Sequence, residues 1–252
     1  MSHEAVHHTI LVTDIAGSGR QDRKDSLRAR LRTALRQMMK EALEEAGVRW
    51  DDCKAEDRGD GVLLFVPSHV PKVRLLDRFV LRLTADLGEH NDSSSPAARL
   101  QLRLAAHAGE VAWDKDGAIG TDVNATFRLV NSEVLKTALA ASGCDLAVIV
   151  SDSFYQGIRQ TVALIGAHEY RETQVDVKEF HGRAWITLRP PRPEGAGATP
   201  PPPVPDRPSG GPPGQHTEGG VSFHGPATIH GPVTGRDHIV RHVREREESS
   251  QK

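Results

Sequence analysis

Apolar positions along this chain alternate between strand-length runs and longer stretches with a helical repeat. His8 to Asp14 is a short apolar-rich run. Lys24 to Ala46 then carries Leu27, Leu31, Leu35 and Met39 at i, i+4 spacing, as an amphipathic helix lying on a sheet does. Val48 to Glu56 and Val62 to Pro67 read as two short strands. The turn between them, Asp57-Arg58-Gly59-Asp60-Gly61, suits a tight hairpin with Asp60 at its tip. A second helix, Lys72 to Glu89, sets Leu75, Phe79, Leu83 and Leu87 on one face and meets stop signals at Gly88 and Asn91, so it should cover the same sheet face.

Further along, Leu100 to His107 reads as a strand and Gly109 to Trp113 as its turn and return strand, a second hairpin. After the loop Asp114 to Gly120, Val123 to Leu139 is helical and Leu146 to Ser151 is a buried strand. Val175 to Val177 with Ala184 to Leu188 closes the sheet. Hairpins mixed with crossover helices predict an α+β fold, helices packed on a mainly antiparallel sheet. The composition breaks at Arg189. Residues 190–218, rich in Pro and Gly, form an extended linker after a folded domain of residues 1–189. Residues 219–252 form a tail that repeats every six residues from Val221 (Val221-Ser222-Phe223-His224-Gly225-Pro226, then Ala227 to Pro232, then Val233 to His238) before a charged end. So few rungs bury no core alone, and residues 219–240 are expected to pair with another chain or dock on a protein partner. His224, His230 and His238 fit exposed rung positions better than a metal site.

The chain has 252 residues and a formal net charge of -2, which gives no general attraction to nucleic acid. Its two cysteines, Cys53 and Cys144, lack metal-ligand spacing and indicate neither a disulfide framework nor a zinc site. The polar N-terminus and the absence of a long apolar run imply a cytoplasmic protein with no membrane partner.

Two acidic residues stand out against this background. Asp14 ends one strand in the turn Asp14-Ile15-Ala16-Gly17-Ser18, and Asp60 stands beside the start of another. Carboxylates placed so can converge on magnesium or manganese, which prefer hard oxygen ligands, and that geometry suggests phosphate chemistry. Each piece also has a plainer reading. Asp14 would serve as a helix N-cap, Gly59-Asp60-Gly61 as a turn, Asn124 with Arg128 as a polar helix stripe, and Arg103 as the partner of a surface acid.

Four stretches in order carry a more specific pattern: Asp14-Ile15-Ala16-Gly17-Ser18, Gly59-Asp60, Arg103-Leu104-Ala105-Ala106-His107-Ala108-Gly109-Glu110-Val111, and Gly120-Thr121-Asp122-Val123-Asn124-Ala125-Thr126-Phe127-Arg128. Together they resemble the catalytic domain of class III nucleotidyl cyclases, the adenylate and guanylate cyclase family, in its stand-alone bacterial form, over about His8 to Leu188. The resemblance implies a ferredoxin-like core. It implies an enzyme that closes a ribonucleoside triphosphate into a 3',5'-cyclic nucleotide and releases pyrophosphate, with two Mg2+ or Mn2+ ions per site roughly 4 Å apart. By resemblance, Asp14 and Asp60, with the Ile15 main chain, hold the ions, and Gly17 and Ser18 lie against the triphosphate. Asn124 orients the ribose, Arg128 meets the charge developing at the α-phosphate, and Arg103 and Lys178 contact the β and γ phosphates. The family builds its site across a head-to-tail dimer, which implies a homodimer with two sites.

The base-reading positions depart from the family. Glu56, four residues before Asp60, is the guanylate-type residue and repels adenine's acceptor nitrogen, whereas Gly117, three before Gly120, has no side chain to read a base. GTP, or a pyrimidine triphosphate as in the stand-alone cyclases of phage defence, is therefore expected over ATP. The other reading is a catalytically silent cyclase-fold module that binds nucleotide and acts through its tail.

Overall fold

A computed structural model describes residues 4–190, apart from 22, 116, 165–169 and 179. The linker from residue 191 and the six-residue repeats lie outside the described residues. Eight strands form one sheet in the order β2-β3-β1-β4-β6-β8-β7, with β5 on β4. The strands are β1 (Val6–Ile15), β2 (Lys54–Asp57), β3 (Gly61–Pro67), β4 (Leu102–Asp114), β5 (Gly117–Ile119), β6 (Leu146–Ser151), β7 (Arg171–Val177) and β8 (Phe180–Arg189). Among the described residues, β4 with β6 is the one parallel pairing. The crossover it needs is supplied by α4 (Thr121–Val130) and α5 (Glu133–Ser142).

One face of the sheet, through Leu11, Leu64, Leu104 and Val148, packs against Leu35, Met39 and Leu43 of α1 (Asp25–Glu45) and Leu83 and Leu87 of a second helical segment. That segment runs as α2 (Lys72–Arg74), a π-helical turn (Leu75–Phe79) and α3 (Val80–Asp92). Leu75, Leu76, Phe79 and Val80, spaced i, i+1, i+4 and i+5, are all in the core. The other face, through Ile10, Val12, Phe65 and Ile149, packs against Val123 and Leu129 of α4 and Leu135 and Leu139 of α5. Covered on both faces, β3 and β6 are apolar throughout, with little alternation.

Several sequence expectations change. Leu100 to Trp113 is no hairpin. It is one long strand, β4, with the turn displaced to Asp114–Gly117. Gly109 is there to admit a neighbour: a Cβ on it would lie 2.0 Å from Asp122 Oδ2. Val123 to Leu139 divides into two helices, with Ser132 as the N-cap of α5. Gly88 does not stop its helix. Asn91, 3 % exposed, instead grips the approach to β4, accepting the Leu100 N–H at 2.7 Å and donating to its carbonyl at 2.8 Å. Val48 to Glu56 yields only β2, because Trp50–Asp52 turns as a 3-10 helix. Two helices escaped the periodicity reading, α6 (Asp152–Gln156) and α7 (Arg159–Leu164). Both are too short to repeat an apolar face. The expectation that the first two helices share one sheet face holds.

Phe79 is fully buried, whereas Leu81, two residues on, is 53 % exposed. Phe79→Ala should therefore cost about 3–5 kcal/mol in chemical denaturation and Leu81→Ala less than about 0.5 kcal/mol.

Candidate functional site

Asp14 lies near the end of β1, directly opposite Gly61 of β3 on one side and Arg103 of β4 on the other. Gly61 permits this closeness: a Cβ on it would lie 2.0 Å from the Thr13 carbonyl oxygen. Asp60, immediately before Gly61, is tied to the same corner because its carbonyl accepts the Ile15 N–H at 3.0 Å. The two acids predicted from the sequence thus meet at one corner of the fold. The chain after β1 turns at Gly17 (φ 65°), and the Ser18 hydroxyl donates to Asp60 Oδ2 at 2.5 Å.

The hairpin carrying Asp60 is itself braced. Asp57 accepts the Gly59 N–H at 2.8 Å and two bonds from Arg32 of α1, both 2.8 Å. The Arg32 and Gly59 donors hold the Asp57 carboxyl below the usual carboxylate range.

Arg103 pairs with Asp14, both side chains being largely buried. Burial pushes the Asp14 carboxyl above its ordinary pKa, the Arg103 charge opposes this, and the Asp60 charge adds to it. Two neighbouring carboxylates, one of them desolvated, share a single paired arginine, so the corner can take a further cation. It fits a hard divalent cation that keeps water and phosphate among its ligands, and among the described residues no group of three or more His, Cys, Asp or Glu forms a closed cage.

Glu56 and Gly117, far apart in sequence, also meet. Glu56 Oε1 accepts the Ala118 N–H at 3.1 Å, and a Cβ on Gly117 would lie 3.5 Å from the same oxygen. Gly117 has φ 128°, a conformation that disfavours any side chain. The second oxygen of Glu56 accepts from Arg58 at 2.5 Å, and the Arg58 guanidinium stands 5.5 Å from the Phe127 ring of α4.

Asn124, Arg128 and Lys178 are placed differently. Asn124 is exposed in the first turns of α4, which begins beside Glu110. Glu110 is seven residues along β4 from Arg103, about 23 Å of strand. Arg128 is half-buried one turn further on. Lys178 sits in the β7–β8 turn, and from Leu188, level with Arg103 across β6, to Phe180 is eight residues, about 26 Å. Within one chain, the start of α4 and Lys178 therefore stand toward the end of the sheet away from Asp14, and α4 runs back from there until Phe127 meets Arg58 of the Asp60 hairpin.

The sequence reading overlooked three arginines. Arg23, Arg28 and Arg32 line one wall of a cavity of about 250 Å³ whose other wall includes Ser18 and Asp60. The signal was present: between the apolar positions of α1, the stretch 20–40 carries eight Lys and Arg against two Asp, in a nearly neutral protein. Ser18, expected to lie against the triphosphate, is a direct partner of Asp60.

No family model matches the sequence, and no curated protein matches it. Among solved structures, the chain is similar to an adenylate/guanylate cyclase/hydrolase from Silicibacter pomeroyi (21 % identity, TM-score 0.53, covering 73 % of this chain and 98 % of that one). It is also similar to the guanylyl cyclase Cya2 (15 %, TM-score 0.53, 78 % and 98 %) and to a bacterial light-regulated adenylyl cyclase (13 %, TM-score 0.51, 75 % and 93 %). The protein has the fold of adenylate and guanylate cyclase catalytic domains. Among the described residues, no helix is long and apolar enough to cross a membrane.

Because its pKa is raised, Asp14 stabilises the fold when protonated. That contribution is full below the ordinary aspartate value and lost as pH rises through the raised one. In metal-free protein, carbon-detected NMR should place the Asp14 midpoint above the ordinary aspartate range, and Arg103→Gln, which removes an opposing charge, should move it higher still.

Proposed function

We propose that the protein is a divalent-metal-dependent nucleotidyl cyclase that converts a ribonucleoside triphosphate, GTP or a pyrimidine nucleotide in preference to ATP, into a 3',5'-cyclic nucleotide and pyrophosphate. The observation that carries this reading is the meeting of Asp14 and Asp60 at one corner of a cyclase fold. Asp14, Asp60 and the Ile15 main chain would hold Mg2+ or Mn2+, which when bound neutralises charge on the attacking and leaving oxygens and acidifies the ribose hydroxyl.

The chain's own groups do the rest. The turn at Gly17 and Ser18 lets main chain approach the triphosphate. Arg23, Arg28 and Arg32 face the cavity beyond Asp60 and supply charge-assisted donors to the outer phosphates, with Arg103 beside Asp14. Glu56, lying against Gly117, accepts from a base N–H, which suits guanine or uracil and disfavours adenine's acceptor nitrogen. Asn124, Arg128 and Lys178 come from a second copy of the chain. In an antiparallel two-fold pairing, the sheet end that carries Asn124 and Lys178 in one protomer lies against the Asp14 end of its partner. Asn124 then orients the ribose, while the Arg128 fork follows charge developing on the α-phosphate. A soluble second-messenger role, including phage defence, accords with this activity.

Incubation of the full chain with each of the four ribonucleoside triphosphates and Mn2+, followed by chromatography, should yield a cyclic nucleotide. Asp60→Ala should lower its formation by several kcal/mol of barrier, roughly a thousandfold. No cyclic product, with wild type indistinguishable from Asp60→Ala, overturns the proposal and points to nucleotide binding without turnover. Arg28→Gln should raise KM about tenfold through one lost charge-assisted bond. Mixing equal amounts of inactive Asp60→Ala and Arg128→Ala chains should restore about a quarter of wild-type activity, since half the dimers are mixed and each mixed dimer has one intact site. No recovery would rule out the shared site.

A further inference from the structure

Two residues of the stretch Arg103 to Val111 have no part in the reading above, His107 and Gly109. His107, on β4 and 8 % exposed, sets Nδ1 2.7 Å from the Ser151 hydroxyl at the end of β6 and Nε2 3.1 Å from Asp122 Oδ1 in the first turn of α4. The other oxygen of Asp122 accepts the Glu110 N–H at 2.8 Å. Gly109 closes the arrangement from below, since a Cβ there would stand 2.0 Å from Asp122 Oδ2 and 2.1 Å from its Cγ. At the helix start, a Cβ on Gly120 would stand 2.8 Å from the Glu110 carbonyl oxygen.

The hydrogen bonds form a consistent chain. The Asp122 carboxylate accepts, so Nε2 carries the ring proton, and Nδ1 then accepts from the Ser151 hydroxyl. Ser151 Oγ in turn accepts the Phe154 N–H at 3.2 Å and caps α6. Serine, histidine and aspartate in line suggest a nucleophile, but Ser151 is 4 % exposed and spent on its cap, so no substrate reaches it. What remains is a device that joins β4 and β6 to the first turn of α4, two residues before Asn124 and six before Arg128.

We propose that His107, Asp122 and Gly109 form a clamp that fixes the start of α4 on β4 and so sets where Asn124 and Arg128 stand, which makes His107 a positioning residue for cyclisation. The inference rests on the role given to α4 above. An error of about 1 Å in a reacting group costs about a hundredfold in rate, so a slipped α4 should lower kcat while leaving nucleotide binding largely intact.

The test uses full-length His107→Gln, whose amide reaches the Nε2 position and so Asp122, and His107→Asn, whose shorter amide matches only the Nδ1 position and so Ser151. Turnover with Mn2+, melting temperature and hydrogen exchange of α4 amides are measured on both, with Gly109→Ala as a third variant. The clamp predicts that His107→Asn loses about 10- to 100-fold in kcat with KM within about twofold of wild type and faster exchange at residues 121–128, while His107→Gln stays near wild type in both. Gly109→Ala, if folded, should behave as His107→Asn does. Wild-type kcat in His107→Asn, or equal losses in the two histidine variants that follow melting temperature alone, overturns the clamp. Should wild type make no cyclic nucleotide, the cyclase reading falls by itself, and the exchange comparison still decides: slower α4 exchange in the Gln variant than in the Asn variant upholds the clamp, and equal exchange overturns it.

Discussion

Everything at the candidate site depends on β1 being paired on both sides. Its bonds to β3 and β4 set Asp14 between Gly61 and Arg103, and through Gly61 they place Asp60 at the same corner. A slip of one residue in either pairing would turn Asp14 to the opposite face of the sheet and separate the acids. The register is held by burial on both faces, Leu11 against α1 and α3 and Ile10 and Val12 against α4 and α5. It is also held at Gly61, where no larger residue fits against the Thr13 carbonyl.

The corner's electrostatics are local and oppose the protein's overall charge. A net charge of -2 predicts no attraction for a polyanion, yet the cavity beside Asp60 is lined by three arginines of α1 and its approach. Two of the hairpin's polar groups are already engaged, Asp57 by Arg32 and Asp60 by Ser18, so the loop bearing the second acid is held before any ligand arrives. Such preorganisation reduces the ordering that binding must impose. Asp14, desolvated and balanced by Arg103, is the group most in need of a further cation.

Gly109 acts by making room for a carboxylate, admitting Asp122 to the start of α4. In sequence it resembles a turn glycine, as Gly117 with its φ of 128° is, and at Gly109 that resemblance produced a hairpin where the chain in fact continues as one strand. A glycine that bends the chain and one that clears space for a neighbour look alike until the neighbour is known.

The amino-acid sequence alone determined the α+β class, the two long helices with their apolar faces, and the pairing of Asp14 and Asp60. Each of these is written in periodicity or in turn chemistry over a few residues. It also brought Glu56 and Gly117 forward as partners, and they are found 3.5 Å apart counted from a Cβ on Gly117. Only the tertiary structure decided that Arg103 faces Asp14, that Ser18 holds Asp60, that Arg28 and Arg32 turn toward the cavity, and that His107 ties α4 to the sheet. These contacts join residues brought together by strand register and helix packing, and no local pattern in the chain carries the distance between them.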